Sequence, residues 1–566
     1  MKKGCEKYIP FEPVKMASRD WPDKMITKAP IWCSVDLRDG NQALVDPMNL
    51  AEKLEMFQLL CDIGIKEIEV GFPSASDTEY EILRALIDGG HIPPDVTVQV
   101  LVQAREHLIR KTFDAIEGAK NVIVHFYNST SKLQRKVVFG KDMDGIIDIA
   151  VEGARLIRAL GEEAAARTGA NIRYEYSPES FMGTEPENAV AVCQRVIEAI
   201  GADAQHKIIL NLPSTVESST PNLFADQVEY FCKNLPSREA AIISLHPHND
   251  RGTAVATAEL GMLAGAERVE GTLFGNGERT GNVDIITLAL NMFTQAVDPK
   301  LDFSNIGRVR EVYERTTKMQ VPVRHPYVGD LVFTAFSGSH QDAINKGEKY
   351  MKDSGTEYWE VPYLPIDPAD VGREYEPVIR INSQSGKGGA AFVMNKNFGY
   401  DLPKAMHPEF GRIVKNYCDR VGREISADEV MELFRKEYID IAGPYSLVSH
   451  KFFEEGEIDD AAPVVRFEGM IKNNGAEPVA ITGKGNGPID SFFNALAGVG
   501  IKGYSFVNYS EHAISIGSDA KAVSYIQLAS PEGKNLFGVG ISHNINYASI
   551  KGILCAINRS LAADKN

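Results

Sequence analysis

Two histidines one residue apart, in His246-Pro247-His248-Asn249-Asp250, carry the strongest chemical signal in the chain. On a strand, residues i and i+2 point the same way, so both imidazoles can reach a single cation. A pair of buried, hydrogen-bonded histidines would show the same spacing, so the surrounding residues decide the reading. Upstream, Asp36-Leu37-Arg38-Asp39-Gly40-Asn41-Gln42 places an Arg and an Asp together beside a turn glycine. On its own that run reads equally well as a solvated turn with an ion pair. With the histidines it completes a set of two nitrogens and one carboxylate oxygen, which leaves positions open for substrate and water. A divalent cation is implied.

Gly275-Asn276-Gly277-Glu278-Arg279-Thr280-Gly281-Asn282 is a third glycine-containing turn. It lacks both the GxGxxG spacing and the Lys-Ser/Thr of a phosphate loop, and the GKGG at Gly386 to Gly389 also fails that pattern. An ordered turn is the better reading, with the Asn276 amide oxygen offered as another ligand. Further polar groups follow other apolar runs: Glu69, His125, Ser177 and Glu179, and Thr215. Each alone is more often a helix cap than a catalyst. Their convergence on one rim gives them weight.

That convergence requires a scaffold. Eight short apolar runs, IWCSVD, KEIEVGF, VTVQVLV, NVIVHFY, IRYEYS, KIILNLP, AIISLHPH and RVEGTLFG, alternate with amphipathic stretches. Strands this apolar are covered on both faces, and eight such units predict a parallel (β/α)8 TIM barrel with its active rim at the C-terminal strand ends. An open doubly wound sheet is the alternative, but it would gather polar residues at one switch point. Residues 1–29 read as an arm lying on the body and 30–323 as the catalytic barrel. Residues 324–444 read as Pro- and Gly-rich linker subdomains. Residues 445–566 read as an α+β regulatory module with a duplicated β-β-α type unit, a sensor rather than a catalyst.

The whole-chain properties agree. At 566 residues the chain has room for two to four domains, and 60 basic against 77 acidic side chains give a net charge of −17. This disfavours a nucleic-acid partner. No apolar run reaches the roughly 18 residues of a membrane span, and the N-terminus has neither a signal-peptide core nor transit-peptide character. The expectation is a cytoplasmic protein. Seven scattered cysteines without a CxxC argue for reduced thiols rather than a disulfide framework or thiolate zinc site.

Taken together, DLRDGNQALVDP, IVHFYNSTS, YEYSPESF, NLPSTVE, HPHNDRGTAVA and GNGERTGN closely resemble the α-isopropylmalate synthase family. That family belongs to the metal-dependent DRE-TIM metallolyase barrels, which make or break carbon-carbon bonds next to acyl-CoA thioesters. The resemblance covers almost the whole chain. SGSHQDAINKG, VPYLPIDP, INSQSGKGG and the C-terminal module look specific to the long form, as does Asn41 where many relatives carry Glu. The resemblance implies condensation of acetyl-CoA with 3-methyl-2-oxobutanoate, then thioester hydrolysis, at the first committed step of leucine synthesis. It implies Asp39, His246 and His248 as metal ligands, joined by Asn276, and Arg38 as stabiliser of oxyanion character on the keto oxygen. Ser177, Glu179, Thr215 and His125 match keto-acid-site residues, with Glu69 at the same rim and Leu101, Tyr127, Asn211 and Pro213 shaping the pocket. His340 and Tyr363 match residues acting on acetyl-CoA from the partner subunit of a homodimer, His340 as base with help from Glu179. Gly485, Gly487 and Pro488 match a leucine-effector loop. Mg²⁺ or Mn²⁺ is expected to support turnover and Zn²⁺ to bind tightly. The rivals are homocitrate or citramalate synthesis, the lyase direction of 3-hydroxy-3-methylglutaryl-CoA lyase, and a non-catalytic amino-acid sensor.

Overall fold

The computed structural model describes residues 3–335, 337–375, 387–423, 425–455, 464–514 and 520–563. The chain forms two compact units, Met1–Phe333 with Pro365–Tyr375, and Thr334–Leu364 with Glu376–Asn566. The stretch read as linker subdomains is thus divided between them, and its 381–386 portion (INSQSG) lies outside the described residues.

In the first unit the eight apolar runs become eight parallel strands: β1 (Ile31–Ser34), β2 (Glu67–Gly71), β3 (Thr97–Gln103), β4 (Asn121–Ser129), β5 (Asn171–Glu179), β6 (Ile208–Ser214), β7 (Ala241–Pro247) and β8 (Arg268–Gly271). They close into the expected barrel in sequential order, with β1 pairing both β2 and β8. Alternation along the strands sorts their side chains. One parity, including Ile68, Val70, Val98, Val122, Leu210 and Val269, supplies buried apolar packing. The other carries Glu67, Glu69, Gln99, His125, Ser244, Arg268 and Glu270, buried and bonded to one another across strands, with Glu175 ion-paired to Arg268 at 3.3 Å, so the lumen is filled by a polar network.

The connecting helices are set by local signals. Asn49 and Glu52 form a capping box at Leu50–Asp62, and Pro186 and Pro221 open the helices Pro186–Ile200 and Pro221–Asn234. The N-terminal arm is held on the last of these. Arg19 and the Trp21 indole meet Asp226, at 2.7 and 3.0 Å, and the Asp20 and Trp21 amides donate to Glu229 at 2.9 and 3.0 Å. All seven cysteines are free, and no helix among the described residues is long and apolar enough to cross a membrane.

The second unit contains two three-stranded antiparallel sheets, each followed by a helix. β9 (Tyr445–Glu455), β10 (Val464–Asn473) and β11 (Val479–Gly485) precede Pro488–Leu496; β12 (Ser505–Ala513), β13 (Ala522–Ala529) and β14 (Asn535–Ser542) precede Ile545–Ala563. The duplicated unit is therefore three strands and a helix, with β9 adding a strand to the first half. Phe467, Phe492, Ile526 and Ile553 share one core of this unit, while Phe410, Phe434 and Tyr438 pack with Val523 and Val539 in another.

Candidate active site and metal centre

β1 runs directly into a π-helical turn, Asp36–Gly40, which carries Arg38 and Asp39 to the barrel mouth. Asp36 pins the turn by accepting from Ser34 Oγ at 2.8 Å and from the Leu273 amide at 3.1 Å. Burial pushes its carboxyl up to about 7. β7 delivers His246, and His248 follows in a backbone bridge to Asn282. Asp39 Oδ2 lies 3.2 Å from His246 Nε2 and 3.6 Å from His248 Nε2. All three side chains are buried, and their ligand atoms fall within 4.8 Å of one another.

The electrostatics of this trio are strongly polarised. Burial disfavours the Asp39 carboxylate, but Arg38 and His246 outweigh it and hold Asp39 well below the usual carboxylate range. Burial also opposes charge on His246, yet hydrogen bonds to Asp39 and Glu270 raise it to about 9. His248 is lowered to about 4 by burial and by the neighbouring His246. One carboxylate and two imidazoles converging this closely fit a cation held by three protein ligands with positions left open. Two orphaned buried atoms strengthen the fit: His248 Nδ1 and Asn282 Oδ1 have no hydrogen-bond partner. The Asn282 amide nitrogen donates to Asn276 O at 3.0 Å. Asn276 itself donates its amide nitrogen to Gly40 O at 3.0 Å and does not line the cavity.

A cavity of about 280 Å³ opens beside the trio. His125, Ser177, Asn211 and Thr215 face it, along with Leu101, Tyr127, Pro213 and Glu179. His125 bridges Glu69 and Ser177, 2.7 Å on either side, and Asn211 donates to Ser177 Oγ at 3.1 Å. Glu69 is fully buried beneath and accepts from Arg38; despite burial, the Arg38 charge and His125 hold its carboxyl at about 2. Ser129 donates to Glu179, and Thr215 Oγ1 accepts from the Ser180 amide at 2.9 Å.

Four lining residues went unread in the sequence: Gln42, Phe72, Glu278 and Arg279. Gln42 donates to Glu278 at 3.1 Å, while Arg279 reaches Asp250 at 2.7 Å and the Thr215 carbonyl at 2.5 Å, so the Gly275–Asn282 turn is stitched to both sides of the mouth. The floor residues Gln99, Glu175, Arg268 and Glu270 were missed too. Their signal was charge at alternate positions within apolar runs, as in Tyr174-Glu175-Tyr176 and Arg268-Val269-Glu270.

The remaining sequence-read residues belong to the second unit. The rings of His340 and Tyr363, 23 residues apart in sequence, stack with centroids 4.0 Å apart and an interplanar angle of 21°. Both are exposed, and Tyr363 has a left-handed backbone at φ 66. Gly485, Gly487 and Pro488 form the turn from β11 into Pro488–Leu496, where the Asn486 amide donates to Asp490 at 3.0 Å. A Cβ at Gly485 would lie 2.5 Å from the Ser491 amide nitrogen, so only glycine permits this approach, whereas Gly487 faces open space.

Comparison with known proteins agrees with this layout. Residues 29–312 match the HMGL-like family, 330–395 the α-isopropylmalate synthase post-catalytic domain-like family, and 424–561 the LeuA allosteric (dimerisation) domain. The chain is 56% identical to the 2-isopropylmalate synthase of Clostridium acetobutylicum over 554 residues, covering 98% of this chain and 99% of the relative. It is 54% identical to that of Rhizobium meliloti, covering 99% of each. The corresponding protein of Rhodospirillum rubrum is 53% identical, with 98% of each chain covered. With identity this high from end to end, and a closed barrel followed by the paired three-strand modules, the chain belongs to the 2-isopropylmalate synthase family.

Proposed function

We propose that this acyltransferase condenses acetyl-CoA with 3-methyl-2-oxobutanoate and hydrolyses the resulting thioester to 2-isopropylmalate and CoA, working as a cytoplasmic homodimer under leucine feedback. The observation that carries the reading is the convergence of Asp39, His246 and His248 beside a polar cavity of about 280 Å³, close to the lower end of ligand-pocket sizes and suited to a short 2-oxo acid. In this reading the trio holds a divalent cation, Mg²⁺, Mn²⁺ or Zn²⁺. Asn282, with its orphaned amide oxygen, is a better further donor than Asn276. A bound cation would act as a Lewis acid toward the keto acid, polarising its ketone.

The chain's own residues do the rest. His125, Ser177 and Thr215 bind the substrate carboxylate, and Leu101, Tyr127 and Pro213 enclose the isopropyl group, with Asn211 orienting Ser177. Glu69 holds the Arg38 guanidinium in place, so a fixed positive charge meets the ketone oxygen as it becomes an alkoxide. His340 takes a proton from the acetyl methyl, its ring oriented by Tyr363, with the pair supplied by the second subunit and assisted by Glu179. The carbanion adds to the ketone carbon and the alkoxide is protonated. Water then adds to the thioester carbonyl, the carbon-sulfur bond breaks, and CoA leaves as the thiol. That hydrolysis makes the condensation hard to reverse.

The test is thiol release from acetyl-CoA in the presence of 3-methyl-2-oxobutanoate, pyruvate or 2-oxoglutarate. We expect kcat/KM for the branched acid to exceed the others by at least about tenfold, the scale of discrimination that apolar packing supplies. A preference for pyruvate or 2-oxoglutarate would replace the reading with citramalate or homocitrate synthesis.

A further inference from the structure

Beneath the cavity lies a carboxylate that the chemistry above does not use. Glu270, on β8, has no exposed surface, and each of its oxygens takes two donors. Oε2 accepts from His246 Nδ1 at 2.7 Å and from Asn211 Nδ2 at 3.0 Å. Oε1 accepts from Gln99 Nε2 at 2.9 Å and from Arg268 Nη1 at 2.9 Å. Because these donors come from β3, β6, β7 and β8, the barrel lumen as a whole holds the carboxylate still. A carboxylate can only accept here, so the His246 nitrogen facing it carries the proton and Nε2 is left to face Asp39. Asn211 also donates to Ser177, so the same carboxylate ties the metal side of the cavity to its keto-acid side.

We propose that Glu270 is a positioning residue that fixes the ring orientation and the protonated nitrogen of His246, and thereby sets the affinity and geometry of the metal centre. Outer partners of this kind raise ligand basicity and are worth about 10- to 100-fold in metal affinity. The proposal rests on the reading of Asp39, His246 and His248 as ligands, and its test separates the two.

Metal-stripped, full-length protein is titrated with Co²⁺, followed by its visible absorption, and with Zn²⁺ in competition with a chelating dye. If the wild-type protein shows no site that Asp39→Ala removes, the metal reading itself falls. Given that site, Glu270→Gln is expected to weaken Zn²⁺ binding about 10- to 100-fold and to alter the Co²⁺ spectrum, with the metal-free fold retained by circular dichroism even where melting falls. Glu270→Asp is expected to recover part of the affinity. Glu67→Gln serves as the control for general damage to the lumen, because Glu67 bonds Arg268 and Arg173 at 2.7 and 2.5 Å and has no bond to His246. It is expected to lower melting while leaving metal affinity unchanged. Zn²⁺ affinity in folded Glu270→Gln within about twofold of wild type, or equal weakening in Glu67→Gln, would overturn the proposal. Should Glu270→Gln fail to fold, Glu270→Asp decides alone, since its shorter side chain cannot keep the 2.7 Å contact. Unchanged affinity and spectrum in that variant would overturn it as well.

Discussion

At the scale of single residues, the proposed mechanism assigns binding and proton transfer to different groups. His246→Ala and Asp39→Ala remove a ligand at the rim, not a piece of the apolar packing, so each is expected to lower kcat at least about 100-fold while circular dichroism shows an intact fold. Near-wild-type turnover in either variant would remove that residue from the metal centre. For His340→Ala the expectation is different: kcat falls by about 10²- to 10⁴-fold, the usual worth of a general base, while the dissociation constant for 3-methyl-2-oxobutanoate stays close to wild type. Calorimetric titration with the keto acid distinguishes the two outcomes, since a base for the acetyl methyl has no contact to lose with the keto acid.

Among the elements, the barrel strands do two jobs with one alternation. Apolar residues of one parity pack outside the barrel, and polar residues of the other build the floor and lift His125, Ser177 and His246 to the mouth. The barrel should therefore be acid-labile in a specific window. Glu69 has its carboxyl lowered from 4.5 to about 2, so it contributes stability that is present above pH 4.5 and is lost as pH falls toward 2. Urea denaturation at pH 6 and pH 3.5 should show this loss in the wild type and a flatter pH response in Glu69→Gln.

The strands, and the placement of His246 and His248, were legible because a period of two and bounding turns are written locally. The floor was not. Which strand faces Glu270 across the lumen depends on closure of the barrel, and no local pattern encodes that. Asn282 carries no sequence signal that sets it apart from Asn276; both amide nitrogens donate to backbone carbonyls, and what distinguishes Asn282 is that its amide oxygen is buried without a partner. β9 was hidden because its run ends in Lys451-Phe452-Phe453-Glu454-Glu455, whose charges interrupt the apolar signal.

For the whole molecule, the barrel family match and the LeuA allosteric (dimerisation) domain match fall on separate stretches of chain, 29–312 and 424–561. Gly487 offers a way to perturb the proposed effector turn alone. Gly487 has an extended backbone and open space around it, so Gly487→Val should keep turnover and stability but raise the leucine concentration needed for inhibition. Inhibition curves identical to wild type would place the effector elsewhere. Gly485→Val should instead destabilise the second unit, because its added atoms would meet the Ser491 backbone.

The crowded lumen carries a lesson for anyone wishing to widen the range of acids the enzyme accepts. A residue such as Glu270, already saturated by four donors, has no freedom to trade, and changing it disturbs its neighbours on several strands at once. Leu101, Tyr127, Phe72 and Pro213 line the space with few such obligations, so new selectivity is most readily evolved in the walls, with the foundations left untouched.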